Sequence, residues 1–300
     1  MTPPAVPPTG ADATGGARAP LDVDALRSLL LRPAGPLPRV DVVARTGSTN
    51  DDVVAAVRAD PDAWPDGSVL VADHQAAGRG RAGRDWETPP GVALTCTFVT
   101  RPTSDHRTFG WIPLLAGLCA VTAVRATAGV PAVLKWPNDV LVPATTEVPG
   151  WGAARKVGGI LAELVPLPAG VTPAVAIGIG LNVAQDAHEL PVAHATSLAL
   201  AGAQHVGREN LLVALVTALE DVETRWRDSG GDARLSGLAD DVAAVCATLG
   251  TDVRVELPGG GEVSGRAERI DDDGALVVVD ASGQAHHVLA GDVRHLRAGG

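Results

Sequence analysis

Residues 73–86 read DHQAAGRGRAGRDW, and the rest of this 300-residue chain is best understood from this stretch outward. Three of its residues are arginines that alternate with glycines: Arg79, Arg81 and Arg84. Glycine lets a ligand approach the main chain closely, and each arginine presents a permanent, forked cation suited to a carboxylate or a phosphate. Strand-like segments at 68–72 and 92–99 flank the stretch. These flanks favour an anion-binding loop between two strands over a solvated surface loop or an RNA-binding arginine–glycine segment.

The composition argues against several classes of protein. The chain has 24 basic and 35 acidic residues, a formal net charge of −11, which disfavours general nucleic-acid binding and attraction to a membrane surface. Its cysteines, Cys96, Cys119 and Cys246, form no CxxC pair, so neither a zinc site nor a disulfide framework is indicated. Apolar runs are shorter than the roughly 18 residues of a membrane span, and no signal sequence is recognisable. We therefore expect a cytoplasmic protein with no membrane or nucleic-acid partner.

Changes in composition and in hydrophobic periodicity divide the chain into three parts. Residues 1–20 are rich in Pro, Gly, Ala and Thr without an apolar period, which predicts a disordered leader. Residues 21–248 mix strand-like and helix-like segments, including a nearly all-apolar helix over 111–129, and are assigned to one large domain. Residues 249–300 contain about five short alternating strands between glycine turns, which predicts a small SH3-like β-barrel.

Two groups of polar residues lie beside predicted element ends. Ser48, Thr49 and Asn50 precede an apolar helix face, so they are either helix caps or the wall of a polar ligand pocket. Lys135 comes just before the segment 137–139, Pro-Asn-Asp, which is either ordinary turn chemistry or part of a site. Both interpretations stay open on local grounds.

Two further segments bear on the shape of a site. Gly178 and Gly180 are two residues apart in a predicted strand, so they clear one face of it for a flat group. Residues 143–154, PATTEVPGWGAA, are predicted to be a loop. Trp151 in that loop either packs over a site or lies on the surface.

Five motifs occur in a fixed order: TGSTN at 46–50, QAAGRGRAGRDW at 75–86, KWPNDV at 135–140, KVGGILAEL at 156–164 and GIGLNV at 178–183. In this set and order the chain resembles the biotin protein ligases, across everything except the first 20 or so residues. The resemblance implies an α+β catalytic domain at 21–248, with a mixed sheet packed with helices as in class II synthetases. It also agrees with the SH3-like domain predicted at 249–300.

The resemblance implies a two-step reaction. The carboxylate of biotin attacks the α-phosphate of ATP, which gives biotinoyl-5′-AMP and pyrophosphate, and a lysine of an acceptor protein then attacks the acyl-adenylate. The implied requirements are ATP and Mg²⁺, with biotin as a substrate and no permanently bound cofactor. The implied partner is the biotin carboxyl carrier domain of acyl-CoA or pyruvate carboxylases, and the implied assembly is a monomer or weak homodimer.

The resemblance also implies roles for individual residues. Lys156 is similar to the family's lysine beside the biotin carboxylate and α-phosphate and is the leading catalytic candidate, with Lys135 as its competitor and Arg79 and Arg81 as further candidates. The implied biotin-binding residues are Ser48, Thr49, Asn50, Gln75, Arg79, Gly80, Arg81, Lys156, Gly158 and Gly159. The implied ATP-binding residues are Arg79, Arg81, Arg84, Trp86, Asn138, Asp139 and Asn182, and Asp139 is also the candidate Mg²⁺ ligand.

Some members of the family also carry an N-terminal DNA-binding domain and act as repressors. About 47 residues precede the Ser-Thr-Asn motif here, fewer than such a domain usually needs, so we expect a single-function ligase. A lipoate or octanoate ligase, which shares the acyl-adenylate chemistry, is the nearest alternative. A regulator that binds biotinoyl-AMP without transferring it is another.

Overall fold

The computed structural model describes residues 18–149, 151–204 and 206–295. Within these ranges the helices are α1 (Val23–Leu30), α2 (Thr49–Ala59), α3 (Ile112–Ala128), α4 (Arg208–Asp228) and α5 (Leu238–Val245). The strands of the larger domain are β1 (Val40–Val43), β2 (Val69–Ala72), β3 (Gly78–Arg79), β4 (Asp85–Trp86), β5 (Ala93–Thr100), β6 (Val133–Lys135), β7 (Asp139–Val148), β8 (Gly152–Val165) and β9 (Ala174–Asn182). The remaining strands are β10 (Asp252–Glu256), β11 (Glu262–Ile270), β12 (Leu276–Val279), β13 (Ala285–Val288) and β14 (Asp292–His295).

A mixed sheet forms the centre of the larger domain. In the described residues it has seven strands in the order β1-β2-β5-β9-β8-β7-β6. The pair β1–β2 is parallel and every other neighbouring pair is antiparallel. The prediction of an α+β domain built on a mixed sheet is therefore confirmed.

The two faces of this sheet are covered by different helices. Helix α3 is apolar on nearly every side and packs against α4, α5 and the sheet, so its long hydrophobic run belongs to the core. The helical segment 106–128, which includes α3 and the turn before it, is long and apolar enough to cross a membrane, but 67% of its 18-residue apolar stretch is buried inside the protein, as expected for a core helix. Helix α2 covers the other face, where Val53 and Val57 pack with Trp64 in a second apolar cluster.

The predicted loop at 143–154 is instead the end of a long β-hairpin. Strands β7 and β8 pair as far as Val148 and Gly152, with an irregularity after Pro143. Buried Arg155 braces the hairpin, since its guanidinium donates to the carbonyl of Thr146 at 2.8 Å. The loop prediction was wrong because two prolines and two glycines obscured the β-branched residues between them.

The C-terminal part forms a five-stranded antiparallel sheet in the order β13-β12-β11-β10-β14, as predicted for the small domain. The turn between β11 and β12 seats on the larger domain, where the indole nitrogens of Trp111 and Trp136 donate to the carbonyls of Asp272 (3.0 Å) and Gly274 (3.2 Å). A Cβ on Gly274 would collide with the backbone of Gly110, so the two main chains touch directly. The domain boundary stays a prediction near residue 248, between the end of α5 and the start of β10.

Residues 1–17 of the predicted leader lie outside the described residues. From Arg18 onward the chain lies on the larger domain, with the Arg18 guanidinium 2.9 Å from the carboxylate of Glu189. The carbonyl of Ala19 accepts from buried Arg208.

Candidate active site

The polar residues at the start of α2 form one end of a cavity of about 770 Å³. Ser48 caps the helix by accepting from the backbone N–H of Asp51, so the capping interpretation holds for this residue. Thr49 and Asn50 are buried in the first turn. The Gln75 side-chain oxygen accepts from both the backbone nitrogen (2.8 Å) and the hydroxyl (2.9 Å) of Thr49. Capping and pocket formation are thus both served by the same short segment. We call the group Ser48, Thr49, Asn50 and Gln75 the head pocket.

Asn50 connects the head pocket to the Gly/Arg loop. Its amide nitrogen donates to the carboxylate of Glu163 (2.8 Å) and to the carbonyl of Leu161 (3.1 Å). The same carboxylate accepts from Arg79, which also pairs with Asp51. Arg79 lines the cavity, as expected of a ligand-facing cation, but its charge is neutralised by two carboxylates. Sequence reasoning overlooked Glu163, although an acidic residue inside the strand-like motif at 156–164 was a signal.

The Gly/Arg loop is folded over the cavity in the structure. Strands β3 and β4 pair as a small hairpin, and Gly80 donates to the Arg84 carbonyl at 2.6 Å. Arg81 donates to the Asn138 side chain at 3.1 Å, and burial lowers the pKa of this guanidinium. Arg84 pairs with Asp292 of the small domain. Of the three arginines, Arg81 is the one that contacts a residue predicted to bind ATP, namely Asn138.

The glycines of β9 accommodate planar groups, as predicted, but in this structure those groups are the protein's own. A Cβ on Gly180 would lie 2.7–2.9 Å from the indole of Trp86, and one on Gly178 would collide with the amide of Asn50. The Trp86 indole nitrogen is buried and has no hydrogen-bond partner among the described residues. Trp86 therefore lies flat on the strand and presents a buried N–H donor that no residue in the described ranges satisfies.

Two lysines and a carboxylate form the other end of the cavity. The ammonium of Lys156 is 2.6 Å from one Asp139 oxygen, and that of Lys135 is 3.9 Å from the other. Lys135 and Asp139 are paired across β6 and β7. Burial lowers the pKa of Lys135, and the nearby Lys156 lowers it further. The structure thus brings together both of the lysines that the sequence offered as competitors.

Trp151, which the sequence left either over a site or on the surface, and His194, which the sequence did not single out, form a wall beside this lysine pair. Their rings stack in parallel, with centroids 4.0 Å apart and an interplanar angle of 5°. The ammonium of Lys135 is 4.3 Å from the Trp151 ring centroid, a cation–π distance. Burial, and then the charge of Lys156, lowers the pKa of His194, which favours a neutral imidazole. The open question about Trp151 is answered in favour of packing over the site.

The remaining predicted residues differ in how they meet the cavity. Gly159 and Asn182 line it, whereas Gly158 does not. A Cβ on Gly158 would lie 2.7 Å from the Gly180 carbonyl, so strand packing explains this glycine. The Asn182 amide is held by Thr196 and Gln185 in the structure. The small domain adds cavity-lining residues that the sequence did not suggest: Glu256, Asp292, Val293 and Arg294.

Family comparisons agree with this architecture. The biotin/lipoate A/B protein ligase family matches residues 42–182, and the biotin protein ligase C-terminal domain matches 248–296. The biotin--[acetyl-CoA-carboxylase] ligase of Mycobacterium tuberculosis is 39% identical over 93% of this chain and 97% of that protein. The enzyme of the same name from Paracoccus denitrificans is 31% identical over 81% of this chain and 95% of its own.

Solved structures show the same fold. Biotin protein ligase from Aquifex aeolicus in complex with biotin and ATP superposes with a TM-score of 0.65 at 23% identity, over 87% of this chain and 100% of that one. From the matched family domains and the full-length relatives, we conclude that this chain belongs to the biotin protein ligase family.

Proposed function

We propose that this protein activates biotin with ATP and transfers it to a lysine of the carrier domain of acetyl-CoA carboxylase. The full-length relatives bear the name of that activity. The observation that carries the proposal is the cavity itself, which joins a neutral hydrogen-bonding pocket at one end to a cluster of cations at the other. Such a site suits an extended acid with a polar, uncharged head.

The positions of residues along β8 support an extended acid bound with its head group in the head pocket and its carboxylate at the lysines. The carbonyl of Leu161 contacts the head pocket through Asn50, and Lys156 stands at the cationic end of the same strand. The Lys156 ammonium lies beside Gly159, where an added Cβ would be 3.2 Å from it, so about two residues of extended chain, roughly 7 Å, separate it from Leu161 along the strand. A head group bound at Asn50 would direct its carboxylate along the strand toward the Lys156 ammonium.

In the first step, a carboxylate oxygen of biotin attacks the α-phosphorus and pyrophosphate leaves. Both reactants are anions, so the barrier contains their mutual repulsion. Lys156 and Lys135 are fixed on the sheet beside Asp139, and Arg81 comes from the Gly/Arg loop. Cations that are held in place before the reaction stabilise the charge that grows on the phosphate without having to reorganise. No protein nucleophile takes part in this scheme.

In the second step, the acceptor lysine amine attacks the acyl carbon, AMP leaves with the bonding electrons, and the amine loses a proton. The acyl-adenylate survives until then only if water is kept away. We propose that Trp86 and the Gly/Arg loop provide this cover, because Trp86 lies flat in the cavity and the loop hairpin folds over it. The role is testable by comparing adenylate hydrolysis in the wild type and in Trp86→Ala.

We propose that Mg²⁺ enters with ATP and that Asp139 is its protein ligand. Among the described residues, no group of three or more His, Cys, Asp or Glu side chains is arranged to hold a metal. One carboxylate is nevertheless enough when phosphates supply further oxygens. Because Asp139 is held by Lys156 at 2.6 Å, ligation requires that ammonium to move from the carboxylate to the phosphates.

The partners are also part of the proposal. Transfer to pyruvate carboxylase, and to acyl-CoA carboxylases other than acetyl-CoA carboxylase, is also expected. We further expect a cytoplasmic location and a monomer or weak homodimer. We propose that nucleic acid is not a ligand, because Arg79 and Arg84 are paired with carboxylates and the chain carries a net charge of −11.

The experiment that tests the function is pyrophosphate release from ATP and Mg²⁺ with biotin, lipoate and octanoate offered separately. A biotin carrier domain is then added and its lysine is examined for a stable label. Release with biotin alone, followed by labelling, is the expected result. Release with lipoate or octanoate would identify the alternative ligase, and release without transfer would identify the regulator.

A further inference from the structure

Arg208 is a buried cation that the proposed mechanism does not use. It is the first residue of α4, and its side chain is 4% exposed. The helix dipole opposes a positive charge at a helix N-terminus, and burying a charge is unfavourable unless it is paired. The helix therefore does not account for Arg208, and the explanation lies in its partners.

The partner of its charge is Asp73, which follows β2 and begins the segment that carries the Gly/Arg loop. One guanidinium nitrogen of Arg208 lies 2.7 Å from an Asp73 carboxylate oxygen, as an ion pair without hydrogen-bond geometry. The same carboxylate accepts from the backbone nitrogen of Leu21 at 3.1 Å. Another guanidinium nitrogen of Arg208 donates to the carbonyl of Ala19. Arg208 thus joins the N-terminal segment 18–22 to the start of the loop-bearing segment.

Segment 18–22 also contacts the other end of the loop-bearing segment. The backbone nitrogen of Gly91 donates to the Asp73 carbonyl at 3.1 Å, so these two residues close the base of the segment 73–91. A Cβ on Gly91 would lie 3.0 Å from the carbonyl oxygen of Arg18, which places that main chain directly on Gly91. One short stretch of chain therefore lies on both ends of the base.

The base is close in sequence to the residues that line the cavity. Gln75 of the head pocket comes shortly after Asp73, and the β3–β4 hairpin that folds over the cavity lies within the same segment. A loop loses less conformational freedom on closing when its ends are already fixed. A base that opens would let the hairpin leave the cavity and would admit water to the adenylate.

We propose that Arg208 is a positioning residue for the reaction, which fixes the base of the loop-bearing segment so that the Gly/Arg loop stays over biotinoyl-AMP. Among the described residues it does not line the cavity, so it acts through Asp73 and segment 18–22. The inference rests on the proposed function. Without Arg208, water attacks the acyl carbon before an acceptor lysine does. AMP then leaves with the bonding electrons, the water gives up a proton, and biotin is regenerated.

The test measures the first-order decay of enzyme-bound biotinoyl-AMP to biotin and AMP, in the full chain without an acceptor. Arg208→Met keeps most of the side-chain volume and removes the charge, and we expect the decay to be about 5- to 50-fold faster than in wild type. Arg208→Lys keeps a cation for Asp73 but lacks the fork that also reaches Ala19, so its decay should be about 2- to 5-fold faster. Because the rate constant is measured on adenylate that is already bound, a smaller folded fraction does not change it.

Arg225→Met is the matched control. Arg225 lies about 25 Å farther along α4, at a rise of about 1.5 Å per residue. It makes contacts of the same kind, with Asp241 at 2.7 Å and with the Ser236 carbonyl at 3.0 Å. Faster decay in Arg208→Met but not in Arg225→Met supports the proposal. Wild-type decay in Arg208→Met, or equally fast decay in both variants, would overturn it.

Two further measurements keep the proposal separable from folding and from the proposed function. If Arg208→Met does not fold, Asp73→Asn removes the partner's charge while keeping its shape, and decay less than about twofold faster than in wild type would overturn the proposal. Amide hydrogen exchange over 73–91 needs no ligand, and we expect it to be at least about fivefold faster in Arg208→Met than in wild type. Unchanged exchange would overturn the role of Arg208. Failure of the wild type to form biotinoyl-AMP would instead overturn the proposed function.

Discussion

Replacing Lys156 by alanine should abolish most adenylate formation while leaving the fold intact. The ammonium is 2.6 Å from Asp139 in a cavity wall, and its side chain is 22% exposed, so its removal opens no void in the core. Asp139 would keep Lys135 at 3.9 Å, and two unit charges at about 4 Å attract by about 4 kcal/mol at an effective dielectric constant of about 20. The carboxylate is therefore not left alone, and we expect the free energy of unfolding to fall by only about 1–2 kcal/mol.

The catalytic loss should be much larger than the stability loss. Removing one group that stabilises transition-state charge costs about 10²- to 10³-fold in kcat. The assay is pyrophosphate release with biotin, ATP and Mg²⁺, alongside thermal unfolding. Lys135→Ala is the matched comparison, since Lys135 faces the same carboxylate, and we expect it to lose less activity. If Lys156→Ala makes biotinoyl-AMP at the normal rate while Lys135→Ala does not, the ranking of the two lysines is wrong.

Three other perturbations have defined outcomes. Trp151→Ala should raise the KM for ATP about 3- to 30-fold, because it releases the Lys135 ammonium from its cation–π contact. Trp151→Phe keeps a ring face and should recover most of the loss. Equal effects of both variants would contradict a cation–π role for Trp151. Asp139→Asn should raise the Mg²⁺ concentration for half-maximal pyrophosphate release at least about fivefold, and an unchanged Mg²⁺ requirement would exclude Asp139 as the ligand. Burial, together with a hydrogen bond and the charge of Asp66, raises the pKa of Glu223 to about 7. Because the native state holds this proton more tightly than the unfolded chain, the free energy of unfolding should fall as pH rises from about 4.5 to about 7. Urea titrations across this pH range measure the slope, and Glu223→Gln should flatten it.

Local sequence signals predicted the fold well where the pattern was regular. The apolar helix, the alternating small-domain strands and the glycine pair of β9 were all found where their periodicity indicated. The hairpin at 143–154 was missed because prolines and glycines dominate it, and tertiary pairing decides such segments. Local patterns also place Ser48–Asn50 at a helix start, which the structure confirms.

The partners of the arginines and of Trp151 could not be predicted in this way. Arg79 meets Glu163 at a sequence separation of 84, and Arg84 meets Asp292 at 208. No local periodicity reports contacts at such separations. The arginines therefore look like free anion-binding groups in the sequence, whereas the structure shows two of them already engaged with carboxylates. The same limit hid the stack of Trp151 on His194.

The contact between the β11–β12 turn and the larger domain determines whether the C-terminal domain can be exchanged on its own. Two tryptophan N–H groups of the larger domain donate hydrogen bonds to carbonyls of this turn. The main chains of Gly110 and Gly274 are in contact, with no space for a side chain. Half of this junction is encoded before residue 140 and half after residue 270. A chimera that exchanges only the C-terminal domain between relatives should join well only when the recipient supplies the matching glycine and both indoles. The two domains should therefore be exchanged together, although they look separable along the chain.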